Sequence, residues 1–213
     1  MSLFITFEGI EGCGKSTQAK ALWKKVSCLG IPAVLTHEPG GTTLSNEVGH
    51  ILKKQRQGGI SPLAELLLFA ACRIQLVTEI ILPSLKQGKV VICDRFADST
   101  IAYQGYGRGL DLDTIRQINQ LATLGIKPDL TVLLDMPAEK GLDRKRTKAG
   151  DRFETEDIAF HNKVRDSYLK LAADEPERWL VIDAVLPKAR IGKIIWDRVS
   201  QLLNKHYLSR TPS

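Results

Sequence analysis

Short apolar runs alternate with longer stretches of helical periodicity along the 213-residue chain. The apolar runs are rich in β-branched residues, which is typical of strands buried on both faces of a parallel sheet. They predict five strands, at Phe4–Phe7, Ala33–Thr36, Val90–Cys93, Leu130–Leu134 and Trp179–Ile182. The periodic stretches predict helices at about 15–29, 43–55, 62–86, 112–124, 138–147, 156–174 and 188–205. Strands that alternate with helices indicate an α/β fold in three layers, with a five-stranded parallel sheet between helices.

The chain shows no internal repeat and no linker rich in Pro, Gly or Ser, so we expect one domain over residues 1–213. No uninterrupted apolar run reaches the roughly 18 residues of a membrane span, and no membrane partner is expected. Glu8 and Glu11 come too early for a secretory signal. The four cysteines lack CxxC spacing, which favours reduced thiols and a cytoplasmic protein over a zinc site or a disulfide framework.

The segment Gly9–Ser16 matches the phosphate-binding pattern G-x-x-x-x-G-K-[ST], and it follows a predicted strand and opens a predicted helix. Its glycines let the backbone N–H groups point at phosphate oxygens, and the helix N-terminus adds positive charge. Lys15 is expected to reach the β- and γ-phosphates, and the Ser16 hydroxyl to bind Mg²⁺. The predicted nucleotide-binding residues are Gly9, Ile10, Glu11, Gly12, Cys13, Gly14, Lys15, Ser16 and Thr17. The loop therefore predicts a three-layer P-loop fold that binds a nucleoside triphosphate with magnesium and transfers a phosphoryl group.

Two other kinds of P-loop protein are disfavoured. A regulatory GTPase needs a guanine-reading N-K-x-D segment, and neither Asn162-Lys163 nor Asn204-Lys205 continues in that way. A nucleic-acid motor usually has a hydrophobic strand that ends in an acidic cluster, whereas the third strand here runs into Asp94-Arg95. At the carboxyl edge of the sheet, that pair puts a carboxylate near the metal and a guanidinium near phosphates.

The net charge of +6 leaves two interpretations open. A nucleic-acid-binding protein would spread its basic residues along backbone phosphates, which suggests an ATP-dependent nucleic-acid-binding module as an alternative function. A nucleotide enzyme would gather them around one polyphosphate pocket. Charge alone does not choose between the two, and basic residues scattered over a solvated surface are a third interpretation.

Motifs along nearly the whole chain resemble those of the bacterial thymidylate kinases. The motifs are Phe7–Gly9, the loop Gly9–Ser16, Glu38–Thr42, Leu68–Ala71, Asp94–Phe96, Tyr103–Gly105 and Asp151–Glu154. Members of that family transfer the γ-phosphoryl group of ATP to dTMP, on a five-stranded parallel sheet and usually as homodimers. The resemblance therefore implies ATP and dTMP as ligands, a homodimer and no nucleic-acid partner. A kinase of another nucleoside monophosphate is the alternative within this class.

The acceptor site is predicted partly from spacing and partly from the resemblance. Phe69 and Arg73 lie four residues apart on a predicted helix and share one face, which suits stacking on a flat base and donation to a ring carbonyl. Thr100, Tyr103 and Gln104 are expected within one turn of a helix that follows Asp94-Arg95. The resemblance assigns Thr100 and Gln104 to the base edge and Tyr103 to the sugar.

The remaining acceptor assignments concern the phosphate and the metal. We expect Arg95 to bind the acceptor phosphate, Asp94 to orient it and to assist the metal, and Glu38 to face the acceptor phosphate and sugar. Many bacterial relatives carry a phosphate-binding Arg where this chain has Gly49, and a frequent Asp where it has Cys72. His50, Lys53 and Lys54 are the candidates to compensate at position 49.

A basic segment at about 143–155 is predicted to close over the phosphates as a lid. Its basic residues are Arg144, Lys145, Arg146, Lys148 and Arg152. The alternative is a solvated basic loop. Because Glu11 is acidic where some thymidylate kinases have an Arg, we expect this segment to supply the missing cation. The predicted catalytic residues are Lys15, Arg95, Arg144, Arg146 and Arg152.

Overall fold

A computed structural model describes residues 2–55, 57–144 and 151–208 of the protein, the last three through their backbone only. Its strands are β1 Leu3–Glu8, β2 Ala33–His37, β3 Val90–Asp94, β4 Leu130–Asp135 and β5 Trp179–Asp183. Its helices are α1 Lys15–Cys28, α2 Thr43–Lys53, α3 Pro62–Leu76, α4 Leu82–Lys86, α5 Ala97–Thr100, α6 Leu112–Thr123, α7 Ala138–Asp143, α8 Ile158–Asp174 and α9 Lys188–Leu208. Two π-helical segments, Val77–Ile81 and Ile101–Gly107, continue α3 and α5.

The five strands form one parallel sheet in the order β2-β3-β1-β4-β5. The predicted α/β fold with a five-stranded parallel sheet is confirmed. The central strand β1 pairs with β3 on one side and β4 on the other, although it is followed in the chain by β2. The order of the strands thus reverses beside β1, and in such sheets ligands bind in the crevice at the carboxyl ends of the strands.

Side chains of β1 alternate between the two helical layers that cover the sheet. Leu3, Ile5 and Phe7 pack in a core cluster with residues of α1 and α9. Phe4 points to the opposite face, where it packs edge-on against Phe96 at a centroid distance of 5.0 Å. Because both faces are covered, β1 is buried along its whole length, and it holds the loop that follows it in a fixed place.

The predicted helix 62–86 is observed as α3, a π-helical turn and α4 without a break in the chain direction. Ser61 caps its N-terminus by accepting a hydrogen bond from Ala64 N. By length and composition this is the one described stretch that could cross a membrane, with a mean hydropathy of 1.8. However, its Glu65 and Arg73 are buried and form ion pairs within the protein. We therefore interpret it as a core helix.

The segment after β3 is helical, as expected for the helix that follows Asp94-Arg95, although no bounds were predicted for it. Helix α5 passes into the π-helical segment Ile101–Gly107, in which Arg108 N donates to Tyr103 O over five residues. π-Helical turns widen a helix and frequently occur at functional sites. Here the turn carries Tyr103 and Gln104 at the carboxyl edge of the sheet.

Candidate functional site

The loop after β1 curls into a cradle. Gly9, Gly12 and Gly14 have φ values of 134°, 73° and 99°, which L side chains rarely adopt, and α1 begins at Lys15. The Lys15 ammonium lies back over the loop and donates to Gly9 O at 3.0 Å and to Ile10 O at 2.7 Å. This arrangement of backbone donors, helix N-terminus and lysine is suited to holding phosphate groups.

The loop lies directly against α7. A Cβ atom at Gly12 would be 2.0 Å from Gly141 O, and one at Gly141 would be 2.5 Å from Glu11 O. Two glycines therefore face each other at a backbone-to-backbone contact. The contact fixes α7, and with it Arg144 just beyond its end, relative to the phosphate loop.

A cavity of about 730 Å³ opens at the carboxyl ends of β1, β2 and β3. Its volume is within the range of ligand pockets. The predicted residues that line it are Glu11, Gly12, Gly14, Lys15, Ser16, Thr17, Glu38, Phe69, Asp94, Arg95, Thr100, Tyr103, Gln104 and Arg144. Ile10 and Cys13 are buried in the core below the loop, and Gly9 packs against Leu134 O. The structure thus brings most of the predicted donor and acceptor residues to one cavity.

Two oxygen ligands suited to magnesium meet in this cavity. The Ser16 hydroxyl donates a hydrogen bond to Asp94 Oδ2. Hydroxyl and carboxylate oxygens are the ligands that a hard cation such as Mg²⁺ prefers. Within the described ranges no group of three or more His, Cys, Asp or Glu could hold a metal ion. The residues therefore fit a magnesium ion that takes its other ligands from phosphates and water.

Arg95 lies between the phosphate loop and the π-helical segment. Its φ of 73° is in the left-handed region, which is uncommon for a residue other than glycine and often occurs at functional sites. Nη2 donates to Glu11 Oε1 at 2.8 Å and to the Tyr103 hydroxyl at 3.0 Å. Nη1 donates to Ser99 Oγ and to the Tyr168 hydroxyl. These contacts hold the guanidinium at the edge of the cavity.

Glu11 is the acidic partner in this cluster. Burial by itself would raise the pKa of Glu11. The Arg95 guanidinium, the His161 imidazole (Nδ1 3.5 Å from Glu11 Oε2) and the Lys15 ammonium outweigh burial, so the pKa of Glu11 lies well below the usual range. Glu11 is therefore ionised at neutral pH, and its side chain faces Arg95 and Tyr103 on the acceptor side of the loop.

Glu8, at the end of β1, lies behind Arg95. It accepts hydrogen bonds from the Ser99 and Tyr168 hydroxyls at 2.6 and 2.8 Å. Burial raises the pKa of Glu8 to about 7, and the negative charge of Asp98 adds to the rise, while Arg95 and the two hydroxyls oppose it. Glu8 thus fixes the two hydroxyls that in turn contact Arg95.

Arg73 is not among the residues that line the cavity, and each of its three guanidinium nitrogens donates a hydrogen bond within the protein. Nε donates to Glu38 Oε2 at 2.9 Å, Nη1 to Asn119 Oδ1 at 2.7 Å and Nη2 to Phe96 O at 3.2 Å. The side chain is 1% exposed. The contact of Arg73 with a base stays a prediction, and in the structure its guanidinium is the cationic partner that the buried Glu38 carboxylate needs. Burial raises the pKa of Glu38, and Arg73 opposes that rise.

Three buried oxygen atoms of residues that line the cavity have no hydrogen-bond partner among the described residues. They belong to Thr36 (Oγ1), Glu38 (Oε1) and Thr100 (Oγ1). Buried polar atoms without a partner are uncommon in proteins and call for an explanation. Three of them around one cavity point to a polar ligand that would pair with them.

The predicted lid residues have different positions. Arg144 is exposed and lines the cavity. Arg152 lies outside the cavity lining: Nη2 forms an ion pair with Glu65 Oε2 at 2.6 Å, and Nε donates to Leu52 O. Lys145, Arg146 and Lys148 are outside the described residues. The segment from Arg152 onward is thus tied to α2 and α3.

Several cavity residues escaped the sequence-based prediction. Ser99 had no distinguishing pattern around it, whereas Lys53 was predicted as one of three candidates to compensate at position 49. Phe153 packs against Phe69 and Tyr103 at centroid distances of 5.8 and 6.0 Å. The motif Asp151–Glu154 contains Phe153, but only its basic residue Arg152 was predicted to belong to the site.

Comparisons with known proteins agree with this geometry. A family model described as "Thymidylate kinase" matches residues 7–195. A thymidylate kinase of Dehalococcoides mccartyi is 54% identical over 203 residues, which cover 95% of this chain and 98% of that protein. A thymidylate kinase of Geotalea uraniireducens is 54% identical over 190 residues, or 86% of this chain and 89% of that protein. The crystal structure of thymidylate kinase from Ehrlichia chaffeensis superimposes with a TM-score of 0.72 at 43% identity, covering 85% of this chain and 92% of that one.

Proposed function

This chain belongs to the thymidylate kinase family, and from that premise we propose that it transfers the γ-phosphoryl group of ATP to dTMP, giving ADP and dTDP. The observation that carries the proposal is the single cavity in which the phosphate loop, the Ser16–Asp94 pair and the polar residues of the π-helical segment meet. A kinase needs donor, metal and acceptor within one water-poor site, because the catalysis consists of positioning and charge stabilisation.

On the donor side, the loop Gly9–Thr17 binds the ATP phosphates through backbone N–H groups, and Lys15 neutralises charge on the transferred group. Ser16 and Asp94 hold Mg²⁺, which when bound supplies positive charge to the phosphate oxygens. Arg144 and Arg146 add cationic charge from the basic segment, and Arg144 is supported by its place on the cavity wall.

On the acceptor side, Phe69 stacks on the base, and Thr100 and Gln104 meet its polar edge. Tyr103 borders the sugar, and Arg95 binds the acceptor phosphate while Glu11 and Tyr103 hold its guanidinium. Glu38 offers its unpartnered Oε1 to the acceptor. Arg73 acts through Glu38, whose carboxylate it holds in place.

The proposal also covers the oligomeric state, the domain organisation, the cellular location and the binding partners. We infer a homodimer, one domain over residues 1–213, a cytoplasmic location and no nucleic-acid or membrane partner. Four unpaired cysteines support a reducing compartment. Exposed leucine and isoleucine side chains on α2, α3 and the end of α6 support an interface between two copies.

The experiment is a coupled assay of ADP formation with dTMP, dUMP, dCMP, dGMP and dAMP as acceptors. We expect the highest kcat/KM with dTMP, loss of activity on chelation of Mg²⁺, and recovery when Mg²⁺ is restored. The control variant Lys15→Ala should lose phosphoryl transfer to every acceptor. If dTMP is not preferred, the proposal fails in favour of another nucleoside monophosphate. Salt-sensitive DNA binding with DNA-stimulated ATPase activity would instead support the nucleic-acid-binding alternative.

A further inference from the structure

A buried carboxylate lies directly behind the cavity residue Gln104. Glu65, in the first turn of α3, is fully buried. Its Oε1 accepts a hydrogen bond of 2.7 Å from Gln104 Nε2. Gln104 is 1% exposed and lines the large cavity. The amide of Gln104 thus connects the cavity to a carboxylate that itself does not reach it.

The orientation of this amide follows from chemistry. The nitrogen and oxygen of an amide side chain are assigned from their hydrogen-bond partners. Glu65 forms ion pairs with Arg152 at 2.6 Å and with Arg108 at 3.3 Å, and an ion-paired carboxylate only accepts hydrogen bonds. The reverse orientation of Gln104 would bring two acceptors together in a buried place, which is strongly unfavourable. Only the amide nitrogen can therefore face Glu65.

The carbonyl oxygen of the Gln104 amide therefore faces the cavity. No described residue donates a hydrogen bond to Gln104 Oε1. Thr100, four residues earlier, also lines the cavity, and its hydroxyl has no partner in the described part of the chain. Phe69 supplies an aromatic ring to the same cavity. Together with that ring, the same cavity therefore offers a fixed acceptor and a hydroxyl that can donate or accept.

This pattern matches one kind of pyrimidine edge. Thymine and uracil carry a ring N–H donor next to a carbonyl, which can pair with the amide carbonyl and the hydroxyl. Cytosine carries an unprotonated ring nitrogen, so two acceptors would face each other. A site whose buried polar group is mispaired rejects the mispaired substrate strongly.

We propose that Glu65 is a specificity-determining positioning residue. By accepting from Gln104 Nε2, it turns the Gln104 carbonyl towards the cavity and selects a pyrimidine with a ring N–H over one whose ring nitrogen is an acceptor. The inference rests on the proposed function, since it concerns the acceptor of that reaction.

The test compares dTMP with 5-methyl-dCMP, which shares the methyl group, sugar and phosphate and differs at the ring nitrogen and its neighbouring substituent. The wild-type enzyme should prefer dTMP by at least about 100-fold in kcat/KM. In Glu65→Gln the new amide can donate as well as accept, so Gln104 can turn, and the preference should fall at least about tenfold. This ratio is independent of the fraction of folded enzyme, so a general loss of structure does not change it.

Arg108→Lys is the matched control, because it alters the same ion-paired cluster and leaves the bond between Glu65 and Gln104 in place. The preference of this variant for dTMP over 5-methyl-dCMP should equal that of the wild type. Gln104→Leu removes the amide, keeps Glu65 with its arginine partners, and should lose the preference even if Glu65→Gln does not fold. If Glu65→Gln or Gln104→Leu keeps the wild-type preference for dTMP over 5-methyl-dCMP, the inference is overturned. Absence of dTMP phosphorylation by the wild type would instead overturn the proposed function.

Discussion

At the scale of single residues, Gly49 marks a place where the chain lacks a side chain beside the cavity. A Cβ at this position would lie 3.4 Å from Pro39 O, so α2 runs close to the Pro39 that borders the cavity. Lys53 lies one helical turn further on the same helix and lines the cavity, whereas His50 and Lys54 do not. Among the three candidates, Lys53 is therefore the one positioned to supply a cation to the acceptor phosphate.

We predict that Lys53→Ala raises the KM for dTMP by about tenfold, with a smaller change in kcat and in the KM for ATP. The reason is the loss of one charge-assisted contact to phosphate, roughly 1.4 kcal/mol. Initial rates at varied dTMP and saturating ATP measure the effect. Lys54→Ala removes a neighbouring charge that does not line the cavity and should leave both KM values unchanged. Equal effects of the two substitutions would contradict a direct role for Lys53.

At the scale of elements, the apolar pattern predicted the sheet well and stopped one residue short at each carboxyl end. The last residues of the five observed strands are Glu8, His37, Asp94, Asp135 and Asp183. A hydrophobic pattern ends before such polar residues, although the strand continues through them. Polar residues occur there because ligands bind at the carboxyl edge of the sheet. The functional edge is thus the part of the strand that hydrophobicity does not predict.

Two further features of the site depend on tertiary contacts and had no local signal. The π-helical segment Ile101–Gly107 is defined by hydrogen bonds over five residues, for which composition gives no distinctive pattern. The spacing of Phe69 and Arg73 correctly suggested a shared helix. It did not show that Glu38, 35 residues away in the chain, would pair with the guanidinium below the cavity.

The segment that begins at Arg152 gives a prediction at this scale. Arg152 N and Nε donate to the carbonyls of Lys53 and Leu52, and Nη2 pairs with the buried Glu65. Breaking a buried ion pair leaves an uncompensated charge, so Arg152→Ala should lower the free energy of unfolding by about 3 kcal/mol. It should also lower kcat strongly with a modest change in ATP affinity, because the basic segment loses its attachment.

Urea unfolding and steady-state kinetics measure these two effects separately. The control is Arg144→Ala, since Arg144 is exposed at the cavity and should affect kcat without a loss of stability. An unchanged kcat in Arg152→Ala would remove Arg152 from the residues that support catalysis.

At the scale of the whole molecule, α3 packs between α2 and α6, and each of these helices exposes large apolar residues, which on α2 and α6 lie among polar ones. The exposed large apolar residues there are Leu44, Ile51, Leu63, Leu67, Leu121 and Leu124. Six large apolar side chains exposed on three neighbouring helices are more typical of an interface than of a solvent-exposed face. Used by two copies related by a twofold axis, it would form the proposed homodimer.

We predict that Leu67→Glu, at the middle of this surface, converts a dimer into a monomer at micromolar concentration. Leu67 is 51% exposed, so the substitution costs the monomer little, but it would bury a charge twice across a twofold interface. Sedimentation velocity measures the mass. Leu29→Glu, at an equally accessible leucine (59% exposed) at the end of α1, should remain a dimer. A wild-type monomer, or a dimer of Leu67→Glu, would exclude this surface as the interface.

The contact between Gly12 and Gly141 has a consequence for how such a sequence can change over generations. Each glycine is constrained by the backbone of the facing segment, since a methyl group at position 12 would lie 2.0 Å from Gly141 O and one at position 141 would lie 2.5 Å from Glu11 O. Substitution at either position alone would push α7 away from the phosphate loop, and the second substitution would not repair the first. Neither glycine can therefore be replaced without loss of the contact, whether it is substituted alone or after the other. A mutational library that saturates residue 141, far from any recognised motif, should recover glycine there as reliably as within the loop itself.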